Sequence, residues 1–325
     1  MIPSKEHQKI YSQIFKNVFS RSWKCLIDEC NKTSINSHLL QQNGILNTVA
    51  ENGHLYELKA KDTFKWDNES PVLEFTLVGI KKAISLPLFC NEHDTTFFKE
   101  VESNPIDFHK YRSQLLLSFR AVCAEIRKKQ RNIEIFTRIL NANTLKGEID
   151  RDSIEIFLKG TAFGITDLER YKGLLGEEIK LNKATFSFST FTYPLIKIYG
   201  SATFSPMDDF TDPDQNHPLN AVFIHVIPYN NILHVIVGYH NDCVDEWITN
   251  YLDSWRNLET RDLENKLTNL FATRIETWGL SPSLYRSIPA KTLKKLIRYC
   301  SDNAMNHSVN QKVDFNIFES NNYGA

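Results

Sequence analysis

The sequence predicts an α+β protein in which a small N-terminal module, a long middle helix and a larger mixed domain follow one another. Three observations support this prediction. Closely spaced cysteine and histidine residues lie in the first hundred positions, an apolar stripe with helical spacing runs through residues 109–140, and alternating aromatic segments follow residue 184. A polar, turn-rich stretch around residues 140–152 separates the last two parts. We therefore divide the chain into residues 1–105, 106–145 and 146–325.

The composition is that of an ordinary globular protein. The 325 residues are 42% hydrophobic and 24% charged, with a net charge of -1, so bulk positive charge does not drive binding to nucleic acid. No apolar run reaches the roughly 18 residues that cross a bilayer, and the first twenty residues lack the apolar segment of a secretory signal. We expect a cytoplasmic protein that does not associate with a membrane.

Four side chains in the N-terminal module have the spacing of metal ligands. Cys25 and Cys30 lie five positions apart, beside turn-forming residues, and Cys90 and His93 lie three apart, on one side of a turn or of a first helical turn. A short cysteine pair that joins a second pair from elsewhere in the chain is typical of tetrahedral zinc sites. Without an export signal, metal binding explains closely spaced cysteines better than disulfides do. The sequence therefore predicts one structural zinc ion bound by these four residues.

The alternative is that these residues are ordinary core or surface side chains. A lone cysteine is usually a small buried apolar residue, and either pair alone arises by chance. Both pairs together, with polar residues between the ligands, favour the metal site. Cys123 lies in the apolar helical stripe, while Cys243 and Cys300 stand alone. We predict that none of these three is a ligand.

The segment between the two ligand pairs contains turns and strands. Residues 54–60 alternate between polar and apolar side chains, as do residues 72–80 after a polar turn. The predicted order is thus a cysteine pair, a histidine, strands, a Cys/His pair and a helix. This is the order of elements in a treble-clef zinc module.

The Cys-x4-Cys, Ser-His-x2-Gln, Asn-Gly-His and Phe-Cys-x2-His-Asp blocks resemble those of a family of bacterial proteins without assigned activity. More distantly, residues 20–105 resemble the HNH endonuclease module. That resemblance implies a structural zinc, His38 as the general base that activates water, and Asp94 as a ligand of a catalytic Mg²⁺ or Mn²⁺ beside His93. Histidine suits the first task because its pKa is near neutrality, and a second metal would stabilise the charge on the phosphate. Nucleases of prokaryotic defence systems and mobile elements are often built in this way.

The chain departs from the nuclease pattern in several places. Leucine rather than proline follows His38, the gap from His38 to Cys90 is long, and the last ligand pair is Cys/His instead of Cys/Cys. The middle asparagine of the nuclease pattern has three candidates, Asn43, Asn47 and Asn52, and the sequence does not choose between them. His38 could instead be a buried or capping residue beside the metal, or a metal ligand that replaces one of the four.

A basic run lies on the predicted middle helix. Arg127, Lys128, Lys129 and Arg131 face away from the apolar stripe, near Gln130, where the helical pattern loosens enough for a bend. Such a run is most often a solvated helix face. The functional alternative is a patch that contacts the phosphates of DNA or RNA, and its binding would depend strongly on salt.

The last part of the chain predicts strands followed by helices. Residues 184–193 alternate with aromatic side chains, and residues 221–228 and 232–240 flank an Asn-Asn turn as a β-hairpin whose near-continuous apolar runs indicate cover on both faces. Residues 243–255, 263–278 and 290–300 show helical spacing. The glycines between positions 160 and 176 match neither a P-loop nor a dinucleotide fingerprint, so we expect no ATP or NAD site.

The sequence is compatible with two functional hypotheses. In the first, the metal module is an HNH-like nuclease head and the larger domain recognises a target. In the second, zinc stabilises a module with little core of its own, and the protein binds nucleic acid or another protein without catalysis. Proximity of His38 to Asp94 at an open metal position would favour cleavage, whereas a buried or metal-bound His38 would favour binding.

Overall fold

The structure, a computed structural model, describes residues 4–66, 71–147, 149–205, 220–304 and 311–319. Within these ranges the helices are α1 Lys5–Phe19, α2 Asn47–Val49, α3 Asn91–Thr96, α4 Lys99–Glu102, α5 Tyr111–Asn141, α6 Arg151–Leu181, α7 Glu246–Asp253, α8 Thr260–Thr273, α9 Pro282–Ser287 and α10 Ala290–Asp302. The strands are β1 Asn36–His38, β2 His54–Ala60, β3 Leu73–Gly79, β4 Ser85–Pro87, β5 Phe186–Pro194, β6 Ile198–Phe204, β7 Val222–Tyr229, β8 Ile232–His240 and β9 Trp278–Leu280. The predicted α+β class is confirmed. None of the described helices is both long and apolar enough to cross a membrane.

The main sheet has seven antiparallel strands in the order β3-β2-β9-β6-β7-β8-β5. Strands β1 and β4 form a separate antiparallel pair. The predicted hairpin is confirmed as β7 and β8, which pair Tyr229 with Ile232 across a two-residue turn. Asn230 and Asn231 both have positive φ values, of 49° and 62°. A two-residue hairpin turn of this kind requires such values, and asparagine tolerates them better than most residues.

Helices cover both faces of the central strands, as their apolar sequence predicts. On one face, Phe223 and Ile227 of β7 belong to a buried cluster with Phe119 and other α5 side chains. On the other face, Ile224 and Val226 pack in a second cluster with the C-terminal helices, including Leu267 of α8. Successive side chains of β7 therefore enter two different cores, and every residue of this strand is buried.

The predicted middle helix is confirmed as α5, which is continuous past the expected bend at Gln130. Sequence analysis missed α6, a second helix of 31 residues, because four glycines interrupt its pattern. A methyl group at Gly176 would lie 3.5 Å from the Phe119 ring, and one at Gly164 would lie 3.1 Å from Lys129 Nζ. The later glycine meets the earlier α5 residue, so the two helices are antiparallel. The small residues at these two positions allow the helices to approach closely.

The main sheet crosses the segment boundaries placed at residues 105 and 145. Strands β2 and β3 come from the first segment, and Tyr56 and Glu57 of β2 pair with Leu280 and Gly279 of β9. Strand β9 also pairs with β6, so it connects the two parts of the sheet. Sequence analysis assigned residues 263–278 to one helix, but α8 ends at Thr273 and the chain turns into β9. A strand of three residues has too little alternation to be recognised from sequence.

Candidate metal centre

The four predicted ligand residues converge in space. One potential ligand atom from each of Cys25, Cys30, Cys90 and His93 lies within 4.8 Å of all the others. His93 Nδ1 is 3.4 Å from the Cys25 Sγ and 3.4 Å from the Cys90 Sγ, while the Cys30 and Cys90 sulfurs are 3.9 Å apart. All four groups can donate a lone pair to a soft or borderline metal ion. The cluster could therefore hold a metal ion.

A tight loop presents the first pair. Lys24 and Thr33 form an antiparallel bridge, and the Cys25 amide donates to the Lys32 carbonyl at 2.9 Å. Inside this bridge the chain reverses through Glu29, which has a φ of 63°, and the Cys30 amide donates to the Ile27 carbonyl. The loop thus directs both thiols to its inner side.

Backbone pairing brings the second pair to this loop. Strand β1 pairs with β4 so that Asn36 lies opposite Pro87. The Leu26 amide donates to the Leu88 carbonyl at 2.9 Å, and the Ile35 amide donates to the Phe89 carbonyl at 2.7 Å. The residues just before Cys90 are therefore fixed against the loop that carries Cys25 and Cys30.

Helix α3 then orients the second pair. Cys90 is the residue immediately before α3, and His93 lies in its first turn. This confirms the prediction that a three-residue spacing places both side chains on one side of a first helical turn. A thiol at this position also faces the unpaired amides at the start of the helix, an arrangement that favours its ionised form.

The thiols differ in how readily they ionise. Burial raises the pKa of Cys25 to about 11. Burial also opposes ionisation of Cys90, but hydrogen bonds from the His93 backbone and from the neighbouring thiols outweigh it and lower its pKa. Both residues are almost inaccessible to solvent, at 6% and 3% exposure. Two buried thiols with a third beside them would repel one another once ionised, and a bound cation would remove that repulsion.

The two long helices hold the loop from the other side. Arg127 of α5 donates through Nη2 to the Lys24 carbonyl at 2.5 Å. Lys172 of α6 is buried, and its Nζ lies 2.9 Å from Asp28 Oδ1. The metal cluster is thus attached to the helical pair at two points. Sequence analysis could not find the Asp28–Lys172 ion pair, because its two residues are far apart in sequence and no local pattern connects them.

His38 and Asp94 lie outside the metal cluster. His38 ends β1, is half-buried, and places Nε2 3.2 Å from the Ile80 carbonyl oxygen. Asp94 faces Arg120 of α5, whose Nη2 is 3.9 Å from Asp94 Oδ1. Among the described residues, the Cys/His cluster is the single group of three or more His, Cys, Asp and Glu side chains that could hold a metal, and it contains neither of these two.

Arg120 is the centre of a small buried network. Its side chain is 1% exposed, it donates to Glu102 Oε1 at 2.6 Å, and its guanidinium lies 4.1 Å from the centre of the Phe98 ring. A buried guanidinium needs nearby carboxylates to offset its desolvation. Glu102 provides one through a hydrogen bond, and Asp94 provides a second at 3.9 Å, although its buried Oδ1 has no hydrogen-bond partner among the described residues.

The basic run is distributed around α5. Arg127 is 2% exposed and also donates to Gln130. Lys128 forms ion pairs with Glu125 and Glu276. Lys129 lies beside α6. Arg131, one turn after Arg127, stacks over Phe19 with its guanidinium 5.2 Å from the ring centre. Because consecutive residues point about 100° apart on a helix, the four side chains do not share one surface. Their contact with nucleic acid stays a prediction.

Comparison of the chain with protein-family models, with curated proteins and with solved structures finds no match.

Proposed function

We propose that the chain is a zinc protein whose Cys25, Cys30, Cys90 and His93 hold one structural Zn²⁺, and that it acts by binding a partner rather than by cleaving one. The convergence of these four ligand atoms carries the proposal. The order of loop, strand pair and helix is similar to that of a treble clef, in which a loop and a helix start each supply two ligands. This likeness supports the proposal and extends only to the order of the elements.

The distances between ligand atoms fit a tetrahedral zinc ion. Zinc binds sulfur at about 2.3 Å and imidazole nitrogen at about 2.0 Å. Tetrahedral angles then separate two sulfurs by about 3.8 Å, and a sulfur from a nitrogen by about 3.5 Å. The Cys30 and Cys90 sulfurs are 3.9 Å apart, and His93 Nδ1 lies 3.4 Å from both the Cys25 and the Cys90 sulfur. The other three separations lie within 4.8 Å, so those atoms would approach one another by up to about 1 Å as the cluster closes around the ion.

Four protein ligands point to a structural role for the metal. Catalytic zinc sites keep one position for water or substrate, whereas structural sites fill all four positions with side chains. Here the short strands β1 and β4 provide only three paired residues each. An ion that joins the loop to the start of α3 would stabilise the region that so short a strand pair leaves weak.

The nuclease hypothesis has less support than the binding hypothesis. A catalytic metal would need a second ligand set, and Asp94 is already paired with buried Arg120. One ring nitrogen of His38, at the end of β1, is engaged by the Ile80 carbonyl. The placement of both side chains favours structural roles for them.

The variant His38→Ala tests this choice. We expect it to keep the zinc content of the wild type, because His38 is not among the four ligands. We also expect neither protein to nick supercoiled plasmid DNA in Mg²⁺ or Mn²⁺. Zinc is measured by inductively coupled plasma mass spectrometry and nicking by gel electrophoresis. Metal-dependent nicking by the wild type that the variant loses would establish the nuclease and contradict the proposed binding role.

A further inference from the structure

An open, shallow groove of about 530 Å³ lies beside the loop of Cys25 and Cys30, where the segment that follows α1 crosses α5. We call it the α1–α5 groove. The two helices pack through Ile14 and Val18 of α1 and Ile135 and Ile139 of α5. The groove is lined mainly by Arg21, Trp23, Ile133, Glu134, Thr137 and Arg138.

Positive charge is in excess around this groove. Arg21 and Arg138 both pair with a single carboxylate, that of Glu134. Arg127 and Arg131 lie behind Trp23 and Phe19, and in the described part of the chain neither forms an ion pair with a carboxylate. Within the described residues, two guanidinium groups at the groove thus share one acid, and two more behind it have no carboxylate partner.

The crowding of these cations affects Arg127. Burial, reinforced by the charges of Arg131 and Arg21, lowers the pKa of Arg127 to about 10. Its Nε is buried and, among the described residues, has no hydrogen-bond acceptor; the same holds for Arg131 Nε and for the indole Nε1 of Trp23. These three donor atoms are buried, so a ligand in the groove would meet the partly exposed guanidinium groups of Arg21 and Arg138 and not the buried donors.

The groove also offers an aromatic and aliphatic surface. Two guanidinium groups lie over the Trp23 ring, at 4.9 Å for Arg21 and 4.6 Å for Arg127, measured to the ring centre. Ile133 and the methyl group of Thr137 add apolar area. Aromatic rings flanked by arginines are the usual means by which proteins bind single strands, whose bases stack while their phosphates meet the cations.

We propose that the α1–α5 groove binds single-stranded nucleic acid, with Arg21 and Arg138 contacting phosphates and a base replacing the Arg21 guanidinium over Trp23. A duplex fits less well, because its bases are stacked inside and are read by elements that protrude into a groove of the nucleic acid. This inference rests on the binding role proposed above and names the class of ligand. Arg131, which forms no ion pair in the described part of the chain, adds long-range attraction.

The first test measures binding of the full chain to fluorescein-labelled oligo(dT) and oligo(U) by anisotropy at several salt concentrations. The double variant Arg21→Gln/Arg138→Gln is expected to weaken binding at least about tenfold. It should also reduce the slope of log K against log salt by about 1.4, or about 0.7 for each phosphate that is no longer neutralised. The matched control, Arg256→Gln/Arg261→Gln, removes the same charge from exposed positions elsewhere and should bind like the wild type.

The variant Glu134→Gln gives a prediction of opposite sign. Removing the carboxylate frees Arg21 and Arg138 and should tighten binding by about threefold. A residue with a merely structural role would not produce such a gain. Equal weakening in the groove variant and the control, or unchanged or weaker binding in Glu134→Gln, would overturn the proposal. So would tighter binding of a duplex of the same length, or displacement of the oligonucleotide by poly-glutamate at equal charge.

Zinc content, measured on every variant, separates this inference from the proposed metal site. Wild-type protein that contains zinc but binds no oligonucleotide would refute the groove and leave the metal site standing. Wild-type protein that binds oligo(dT) through the groove arginines yet contains no zinc would refute the metal site alone.

Discussion

Replacement of Cys90 by alanine is expected to abolish zinc binding and to produce the largest loss of stability of any single change considered. Cys90 is 3% exposed and has both a sulfur and an imidazole nitrogen of the cluster within 3.9 Å. A bound metal stabilises the folded chain by about 4 kcal/mol when its free concentration is a thousandfold above the dissociation constant. Without one of four ligands, most of this contribution disappears. We expect zinc stoichiometry to fall from about one per chain to near zero.

Cys123→Ala is the matched control. Cys123 is also a buried cysteine, at 0% exposure, but it lies in the apolar stripe of α5 and outside the metal cluster. The substitution should cost about 1 kcal/mol through weaker packing and leave zinc content unchanged. Urea unfolding, in parallel with metal analysis, gives both quantities. A Cys90→Ala protein that keeps its zinc, or that is no less stable than Cys123→Ala, would contradict the assignment of Cys90 as a ligand.

Gly279→Ala is expected to lower the free energy of unfolding by about 3 kcal/mol. In β9, Gly279 lies between Glu57 of β2 and Tyr199 of β6. The Tyr199 hydroxyl crosses over it and donates to Glu57 Oε1 at 2.9 Å. A methyl group at position 279 would lie 2.3 Å from that hydroxyl and 2.6 Å from the Tyr56 carbonyl oxygen. The substitution therefore combines a backbone clash with the disruption of a buried hydrogen bond.

The carboxylate of Glu57 also accepts a hydrogen bond from the Ile84 amide, just before β4. Disturbing it should thus reach the β1–β4 pair, which lies next to the Cys/His cluster. Gly79→Ala, at the end of β3, is the control because an added methyl group there meets no atom within 4 Å. It should stay within about 1 kcal/mol of the wild type. Thermal or urea unfolding of both variants makes the comparison, and equal stability of the two would refute the close packing at Gly279.

The convergence of the Cys/His cluster was predictable from sequence because its signal is local and chemical. Each pair of ligands is close in sequence, and few residue types bind zinc, so the positions of Cys25 with Cys30 and of Cys90 with His93 identify the set. The hairpin β7–β8 and helix α5 were predictable for a similar reason, since their periodicity and turn residues lie within one continuous segment.

What sequence analysis missed depends on contacts between distant segments. The glycines of α6 resemble helix breaks in sequence, whereas Gly176 and Gly164 contact Phe119 and Lys129 of another helix. Strand β9 is too short to show alternation, yet it joins β2 to β6 across the predicted boundaries. The pairing of Asp94 with Arg120 likewise depends on α5 packing beside α3, so a sequence motif alone could not show that this carboxylate already has a partner.

X-ray absorption spectroscopy at the zinc edge of the purified protein tests the central claim most directly. We predict one zinc per chain, with three sulfur neighbours at about 2.3 Å and one nitrogen neighbour at about 2.0 Å. Protein that binds no stoichiometric metal, or zinc surrounded by oxygen and nitrogen without sulfur, would contradict the account.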